Sequence, residues 1–145
     1  MPALNRILLV DDSINDIELA LGALAQYNLA NEVIAVYDGA EALDYLFCRG
    51  KFSERPVGNP VVVLLDLKMP RVDGLEVLRQ VKSDPNLRRL PIVMLTSSRE
   101  EQDLVRSYDL GVNAFVVKPV DFAQFVEAIR NIGVFWAIVN EAPPL

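Results

Sequence analysis

Short apolar segments alternate with amphipathic stretches along most of the chain. The segments lack the polar–apolar alternation of a half-exposed sheet, and this is typical of strands that are buried on both faces. The predicted strands are Arg6–Val10, Glu32–Val36, residues 61–65, residues 92–95 and Ala114–Val117. The third, with the sequence VVVLL, gives the strongest signal, and the second gives a weaker one.

The stretches between these strands carry apolar residues at helical spacing, and polar capping residues precede several of them. The predicted helices cover residues 14–28, about 40–47, 75–82, 99–110 and 122–140. Residues 49–60 contain two glycines and two prolines and are predicted to form a long loop. Regular alternation of strands and helices predicts an α/β fold with a doubly wound, five-stranded parallel sheet.

Polar residues suited to holding a phosphate and a metal stand at the ends of four predicted strands. In chain order they are Asp11 with Asp12, Asp66, Thr96 and Lys118. Because sheets of this kind bind ligands beyond the carboxyl ends of their strands, we expect these side chains to lie together. Carboxylates are typical Mg²⁺ ligands, and a hydroxyl and an ammonium both donate to phosphoryl oxygens. The pattern therefore predicts a site for Mg²⁺ and a phosphoryl group.

Each of these residues also has an ordinary structural explanation. An aspartate pair is favoured at a helix N-terminus, and aspartate, threonine or lysine is common in turns, caps and solvated loops. Three carboxylates at one point, however, are unfavourable without a cation and perturb one another's pKa values. This favours a functional interpretation of the whole set. Pro119 follows Lys118 and is a candidate for a cis peptide bond, which is found mostly before proline.

Composition limits the classes of function. A length of 145 residues suits one domain, and a net charge of −6 argues against nucleic-acid binding. The chain has no histidine, so any histidine chemistry must come from a partner. Its single cysteine, Cys48, fits a reducing compartment. Because no signal peptide or membrane-spanning segment is evident, we expect a cytoplasmic protein without membrane attachment.

In combination, the motifs resemble those of receiver domains, the phosphorylatable domains of two-component response regulators. The resemblance covers about residues 5–135 and includes the Met-Pro and Asp-Gly dipeptides that follow Asp66. It implies a flavodoxin-like fold with strand order 2-1-3-4-5 and five helices. We expect a receiver domain over residues 5–140, a flexible tail over residues 141–145 and no attached output module.

The resemblance also implies a role for each motif residue. Asp66 is the expected phosphoacceptor, and Mg²⁺ or Mn²⁺ is the expected cofactor. The implied metal ligands are the carboxylates of Asp11, Asp12 and Asp66 and the backbone carbonyl of Lys68. The implied phosphate-binding and switch residues are Thr96, Lys118 and the aromatic Phe115, although plain core packing would also account for Phe115. Such a protein is not a conventional enzyme, but it catalyses its own phosphorylation from phosphohistidine and its own dephosphorylation.

Several stretches look more specifically like the stand-alone regulators that serve bacterial phytochromes. They include the long connection over residues 49–60, the Leu95-Thr96-Ser97-Ser98 sequence, and the sequence around Lys118. The implied phosphodonor is a histidine kinase, of the light-regulated phytochrome type. The resemblance does not identify the downstream target.

The last predicted helix is apolar nearly all round in its final turns. Val134, Phe135 and Ile138 lie opposite the stripe that is expected to face the core. A helix of this kind is normally covered. We expect a homodimer through the face of the fourth helix, fifth strand and fifth helix, with a folded-back tail as the alternative.

Other functions remain as alternatives at this point. An aspartyl-nucleophile phosphatase or phosphotransferase has its nucleophile after the first strand and a second aspartate two residues later. Here, Lys68 stands two residues after Asp66. A degenerate receiver would act only as a binding module, although the site residues are complete. A dinucleotide-binding domain lacks support, because no glycine-rich turn follows the first strand.

Overall fold

A computed structural model of the chain describes residues 6–25, 32–56, 58–69, 71–112 and 114–131. The strands are β1 (Arg6–Val10), β2 (Glu32–Val36), β3 (Val62–Asp66), β4 (Ile92–Thr96) and β5 (Ala114–Val117). The helices are α1 (Ile14–Leu24), α2 (Gly39–Leu46), α3 (Gly74–Ser83), α4 (Arg99–Ser107) and α5 (Phe122–Asn131). None of these described helices has both the length and the apolar character needed to cross a bilayer.

The strands form one parallel sheet in the order β2-β1-β3-β4-β5, which confirms the predicted topology. Alternate residues of each strand face two separate cores. Ile7 and Leu9 of β1 pack with residues of α1 and α5, whereas Leu8 and Val10 pack with residues of α2, α3 and α4. Because both faces are covered, the inner strands are apolar at successive positions, and this is why their sequences show no alternation.

Helices begin close to the strand ends because side-chain caps fix their first turns. Ser13, Asp38, Asp73 and Ser98 each accept a hydrogen bond from the backbone N–H three residues later. The Asp121 carboxylate accepts from the Gln124 N–H in the same way. These caps satisfy backbone donors that a helix leaves unpaired at its N-terminus. They also hold the loops at the carboxyl edge of the sheet in defined positions.

Several predicted boundaries were wrong. Helix α1 ends at Leu24, earlier than predicted, because the Ala25 N–H closes the last turn onto the carbonyls of Leu21 and Ala23. Helix α4 ends at Ser107, since Tyr108 closes it and Asp109 has a left-handed φ of 51°. The loop over residues 49–60 contains a short 3₁₀ helix, Gly50–Phe52.

Strands β3 and β4 each run one residue further than the apolar pattern indicated. Asp66 is in register with Leu95, and Thr96 is in register with Val117. The predicted extension of α5 to residue 140 lies outside the described residues. The same holds for the predicted tail and for Val134, Phe135 and Ile138.

Candidate functional site

The polar residues predicted at the strand ends meet at the carboxyl edge of the sheet. Asp11 follows β1, Asp66 ends β3, Thr96 ends β4 and Lys118 follows β5. Three of these side chains are almost fully enclosed, since Asp11 is 1% exposed, Asp66 4% and Thr96 0%. Buried polar groups of this kind need partners or ligands. Asp12, by contrast, is exposed to solvent.

Three carboxylates converge at this edge. One oxygen atom from each of Asp11, Asp12 and Asp66 lies within 4.8 Å of the others. Oxygen ligands in such an arrangement suit a hard divalent cation, which commonly binds one or two carboxylates together with water and phosphate. The donor set therefore fits Mg²⁺ or Mn²⁺.

Among the described residues, Lys118 brings a positive charge beside these carboxylates. Its Nζ atom lies 3.2 Å from Asp11 Oδ2, 3.2 Å from Asp66 Oδ1 and 2.9 Å from Asp16 Oδ2. An ammonium has three N–H donors, and three carboxylates lie within reach of them. The Lys118 side chain is 18% exposed, so solvent screens these contacts less than it would on an open surface. The peptide bond between Lys118 and Pro119 is cis.

The electrostatics of this cluster differ from those of ordinary aspartates and lysines. Burial, together with the negative charge of Asp11, raises the pKa of Asp66 to about 7, although Lys118 acts in the opposite direction. Burial disfavours the charged form of Lys118, but Asp16, Asp66 and Asp11 outweigh it and raise the lysine pKa above its usual range. The site therefore carries a crowded negative charge that Lys118 only partly offsets.

The two predicted switch residues both contact α4. The Gln102 amide donates to Thr96 Oγ1 over 3.4 Å. The Arg106 guanidinium carbon lies 4.5 Å from the centre of the Phe115 ring, within the range of a cation–π contact. Phe115 is partly buried against the core that lies under α2, α3 and α4. Residues one turn apart on α4 therefore contact the hydroxyl and the aromatic ring.

The loop after β3 is tightly packed around Asp66. A Cβ atom on Gly74 would lie 2.3 Å from the Asp66 carbonyl oxygen, so only glycine fits there. Lys68 lies in this loop, and its ammonium is 3.3 Å from Glu101 Oε2 on α4. Glu101 also accepts a hydrogen bond of 2.8 Å from the Ser97 N–H. These contacts connect the loops that follow β3 and β4. The metal-binding role of the Lys68 carbonyl stays a prediction.

Three residues near the site were missed by sequence reasoning. Asp16, Gln102 and Arg106 reach the site from the helices that follow β1 and β4. The signal for Asp16 was its place in the first turn of the helix after Asp11-Asp12, facing back to the strand ends. Gln102 and Arg106 carried no comparable signal, because polar residues on an amphipathic helix usually face solvent.

Comparison with known proteins identifies one family of similar sequences. The family model for the response regulator receiver domain matches residues 7–130. The chain is 37% identical over 130 residues to Response regulator Rcp1 of Synechocystis sp. (strain ATCC 27184 / PCC 6803 / Kazusa), and the match covers 90% of this chain and 87% of Rcp1. These findings favour the receiver interpretation over the phosphatase and dinucleotide-binding alternatives.

Solved structures of similar regulators share the fold. The bacteriophytochrome response regulator AtBRR superposes with a TM-score of 0.91 at 64% identity, covering 97% of this chain and 100% of AtBRR. The Mn(2+)-bound form of Rcp1 gives a TM-score of 0.74 at 35% identity, covering 97% and 99%. The phosphorylated cyanobacterial phytochrome response regulator RcpA gives 0.75 at 39% identity, covering 99% and 100%. The chain belongs to the response regulator receiver domain family.

Proposed function

We propose that this protein accepts a phosphoryl group on Asp66 from a histidine kinase, in a reaction that depends on a divalent cation. The observation that carries the proposal is the convergence of Lys118 on Asp66 beside the oxygens of Asp11 and Asp12. Asp11, Asp12 and Asp66 would hold the cation, with the carbonyl of Lys68 as a further ligand. When bound, the cation supplies charge neutralisation for the transferring phosphoryl group.

The side chains of this site suit phosphoryl transfer without a general base. An oxygen of ionised Asp66 forms a bond to the phosphorus of the partner's phosphohistidine as the P–N bond breaks, leaving an acyl phosphate on Asp66 and a free histidine on the kinase. Lys118 donates to the transferring oxygens, and the Thr96 hydroxyl is placed to donate as well. Attack by water on phosphorus later releases inorganic phosphate and restores Asp66. Only the ionised form of Asp66 is a nucleophile. Because its pKa is near 7, the neighbouring charges determine which fraction of Asp66 is ionised and able to react.

The signal would leave the site through the two residues that contact α4. A phosphoryl group carries more negative charge and more acceptor oxygens than the carboxylate it modifies. In this proposal, the Thr96 hydroxyl moves from Gln102 towards the new oxygens, and Phe115 fills the vacated space. The face formed by α4, β5 and α5 then changes shape. A homodimer through this face is the simplest readout, with Val134, Phe135 and Ile138 as its predicted contacts.

The proposed partner is a histidine kinase, and since this chain has no histidine, the phosphohistidine must lie on that partner. The names of its relatives point to kinases of the phytochrome type, since AtBRR and RcpA are described as bacteriophytochrome and phytochrome response regulators. Such signalling takes place in the cytoplasm, and neither a nucleic-acid nor a membrane partner is part of the proposal.

Substitution of the phosphoacceptor tests the proposal. The purified protein is incubated with radiolabelled acetyl phosphate and Mg²⁺, and incorporated label is counted per mole of protein. Asp66→Asn keeps the size of the side chain but lacks the nucleophilic carboxylate, so we expect a loss of labelling of at least about 100-fold. Asp44→Asn, on the exposed side of α2, is the matched control and should label normally. Stoichiometric labelling of Asp66→Asn would contradict the assignment.

A further inference from the structure

Asp16 is a contact of the site that the proposed chemistry does not use. Its Oδ2 atom lies 2.9 Å from Lys118 Nζ, closer than the 3.2 Å of Asp11 Oδ2 and Asp66 Oδ1. Within the described residues, the carboxylates that cluster closely enough to hold a metal are those of Asp11, Asp12 and Asp66. Asp16 therefore contacts the lysine without belonging to the candidate metal ligands.

The backbone fixes Asp16 in this position. It lies in the first turn of α1, where its N–H donates to Ser13 Oγ over 3.2 Å. The Ser13 N–H in turn donates to Asp11 Oδ1 over 3.0 Å. Asp16 and Asp11 are thus held in one short hydrogen-bonded segment. The Asp16 side chain is 29% exposed, so its contact with Lys118 is partly shielded from water.

A divalent cation and the Lys118 ammonium would compete for the same carboxylates. In the described contacts the ammonium has three carboxylate partners, and two of them, Asp11 and Asp66, are candidate metal ligands. Asp11 and Asp66 would be partly neutralised by a bound cation, and the nearby ammonium of Lys118 would then be repelled by its charge. Conversely, an ammonium that remains on those two carboxylates competes with the cation for them. Asp16 is the partner that keeps its full charge for Lys118.

We infer that Asp16 is a positioning residue that holds Lys118 beside Asp66 while a divalent cation occupies Asp11, Asp12 and Asp66. Its purpose rests on the proposed function, since a retained ammonium matters for binding the phosphoryl group. Without Asp16, Lys118 pairs only with the metal-binding carboxylates, so cation binding must displace it. The inference therefore predicts that a residue outside the metal site controls metal affinity through the lysine.

A double-mutant cycle on Mg²⁺ affinity tests this coupling. Mg²⁺ dissociation constants are measured by calorimetry, at fixed pH and ionic strength, for the wild type, Asp16→Asn, Lys118→Met and the double variant. We expect Asp16→Asn to weaken Mg²⁺ binding by about 10-fold when Lys118 is present. In the Lys118→Met background, we expect the same substitution to change binding by less than about 2-fold.

Two further variants separate this role from a general charge effect. Glu18→Gln removes the same charge from an exposed position on the same helix and should change Mg²⁺ binding by less than about 2-fold. Asp16→Glu keeps the carboxylate and should restore most of the affinity. Equal losses for Asp16→Asn in both lysine backgrounds would overturn the inference, as would no loss at all.

The cycle also distinguishes this inference from the proposed function. If the coupling is found but acetyl phosphate fails to label Asp66, the positioning of Lys118 stands and the phosphoacceptor assignment fails. If Asp66 is labelled but the coupling is absent, the proposed function stands and the role of Asp16 is wrong.

Discussion

Two groups of charged side chains lie at opposite ends of the same sheet. One group is held by neutral partners, and the other consists of charges that contact one another. At the amino end, the Arg6 guanidinium donates to the Tyr45 hydroxyl over 2.9 Å and to the Gly58 carbonyl over 2.7 Å. The Arg55 guanidinium carbon lies 4.2 Å from the centre of the Tyr45 ring, and its Nε donates to the Tyr45 carbonyl. At the carboxyl end, Lys118 is surrounded by carboxylates.

This difference separates a cluster whose charges are balanced within the protein from one that carries a surplus of negative charge. The arginines at the amino end are held by carbonyl and hydroxyl oxygens and an aromatic face, so the group is complete without any ligand. At the carboxyl end, the carboxylates of Asp11, Asp12, Asp16 and Asp66 outnumber the single ammonium that the described contacts provide. Such a surplus is relieved only by protonation or by a cation. We therefore expect the first cluster to stabilise the fold under all conditions, and the second to make stability depend on pH and on a bound cation.

The largest expected difference between the two ends is in the pH dependence of stability. The pKa of Asp66 is about 7 in the folded protein but about 4 in the unfolded chain. Between about pH 4 and pH 7, the folded state therefore binds a proton on Asp66 that the unfolded chain has lost. The free energy of unfolding without Mg²⁺ should therefore fall as the pH rises from about 4 to 7, by at most about 4 kcal/mol. Urea denaturation at a series of pH values measures this slope.

Saturating Mg²⁺ and Asp66→Asn each provide a control for this slope. Mg²⁺ favours the ionised carboxylates, and asparagine cannot titrate, so each should flatten the pH dependence. Arg6→Ala, at the other end of the sheet, should lower stability by a similar amount at every pH. A slope that is the same with and without Mg²⁺ would contradict the account of a surplus charge.

Loss of Lys118 is the next largest effect and concerns function. Lys118→Ala removes the ammonium that lies 3.2 Å from Asp66, so the rate of labelling by acetyl phosphate should fall by about 100-fold, or about 2.7 kcal/mol. Stopped reactions counted over time give this rate. Lys51→Ala, an exposed lysine in the 3₁₀ helix, is the matched control and should keep the wild-type rate. A rate for Lys118→Ala within a factor of two of the wild type would argue against its role.

Substitutions at the amino end of the sheet should lower stability but leave the rate of labelling unchanged. Arg6→Ala removes the donor to the buried Tyr45 hydroxyl and leaves the Gly58 carbonyl with its Arg55 donor alone, which should lower the free energy of unfolding by about 2 kcal/mol. Arg49→Ala removes an exposed arginine whose ion pair with Asp44 should contribute less than about 0.5 kcal/mol. Urea denaturation measures both values. A labelling rate for folded Arg6→Ala below half that of wild type would contradict the prediction that the amino end affects stability alone.

The fold and most of the site were predictable because strand ends are marked in the sequence. A run of buried residues followed by aspartate, threonine or lysine places a polar group at the edge of a parallel sheet, whatever the helices do. For this reason, Asp11, Asp66, Thr96 and Lys118 could be grouped before any distance was known. Phe115 could be assigned only through the family resemblance, since a partly buried aromatic residue on a strand usually serves the core.

Other features depend on contacts between residues that are distant in the sequence, and no local pattern encodes them. The Arg6–Tyr45 hydrogen bond joins the start of β1 to the end of α2, across 39 positions. The Asp16–Lys118 contact spans 102 positions and requires both the helix orientation and the strand order. Helix ends were also poorly predicted, because closing bonds such as that of Ala25 depend on backbone geometry rather than on apolar spacing.

The most direct test of the central claim is to locate the phosphoryl group itself. The wild-type protein is incubated with acetyl phosphate in the presence of Mg²⁺ or of a chelator, digested under acidic conditions, and mapped by tandem mass spectrometry. Our account predicts a single phosphoryl adduct on Asp66, formed only when Mg²⁺ is present. An adduct on another residue, or equal modification of Asp66 in the presence of the chelator, would contradict it.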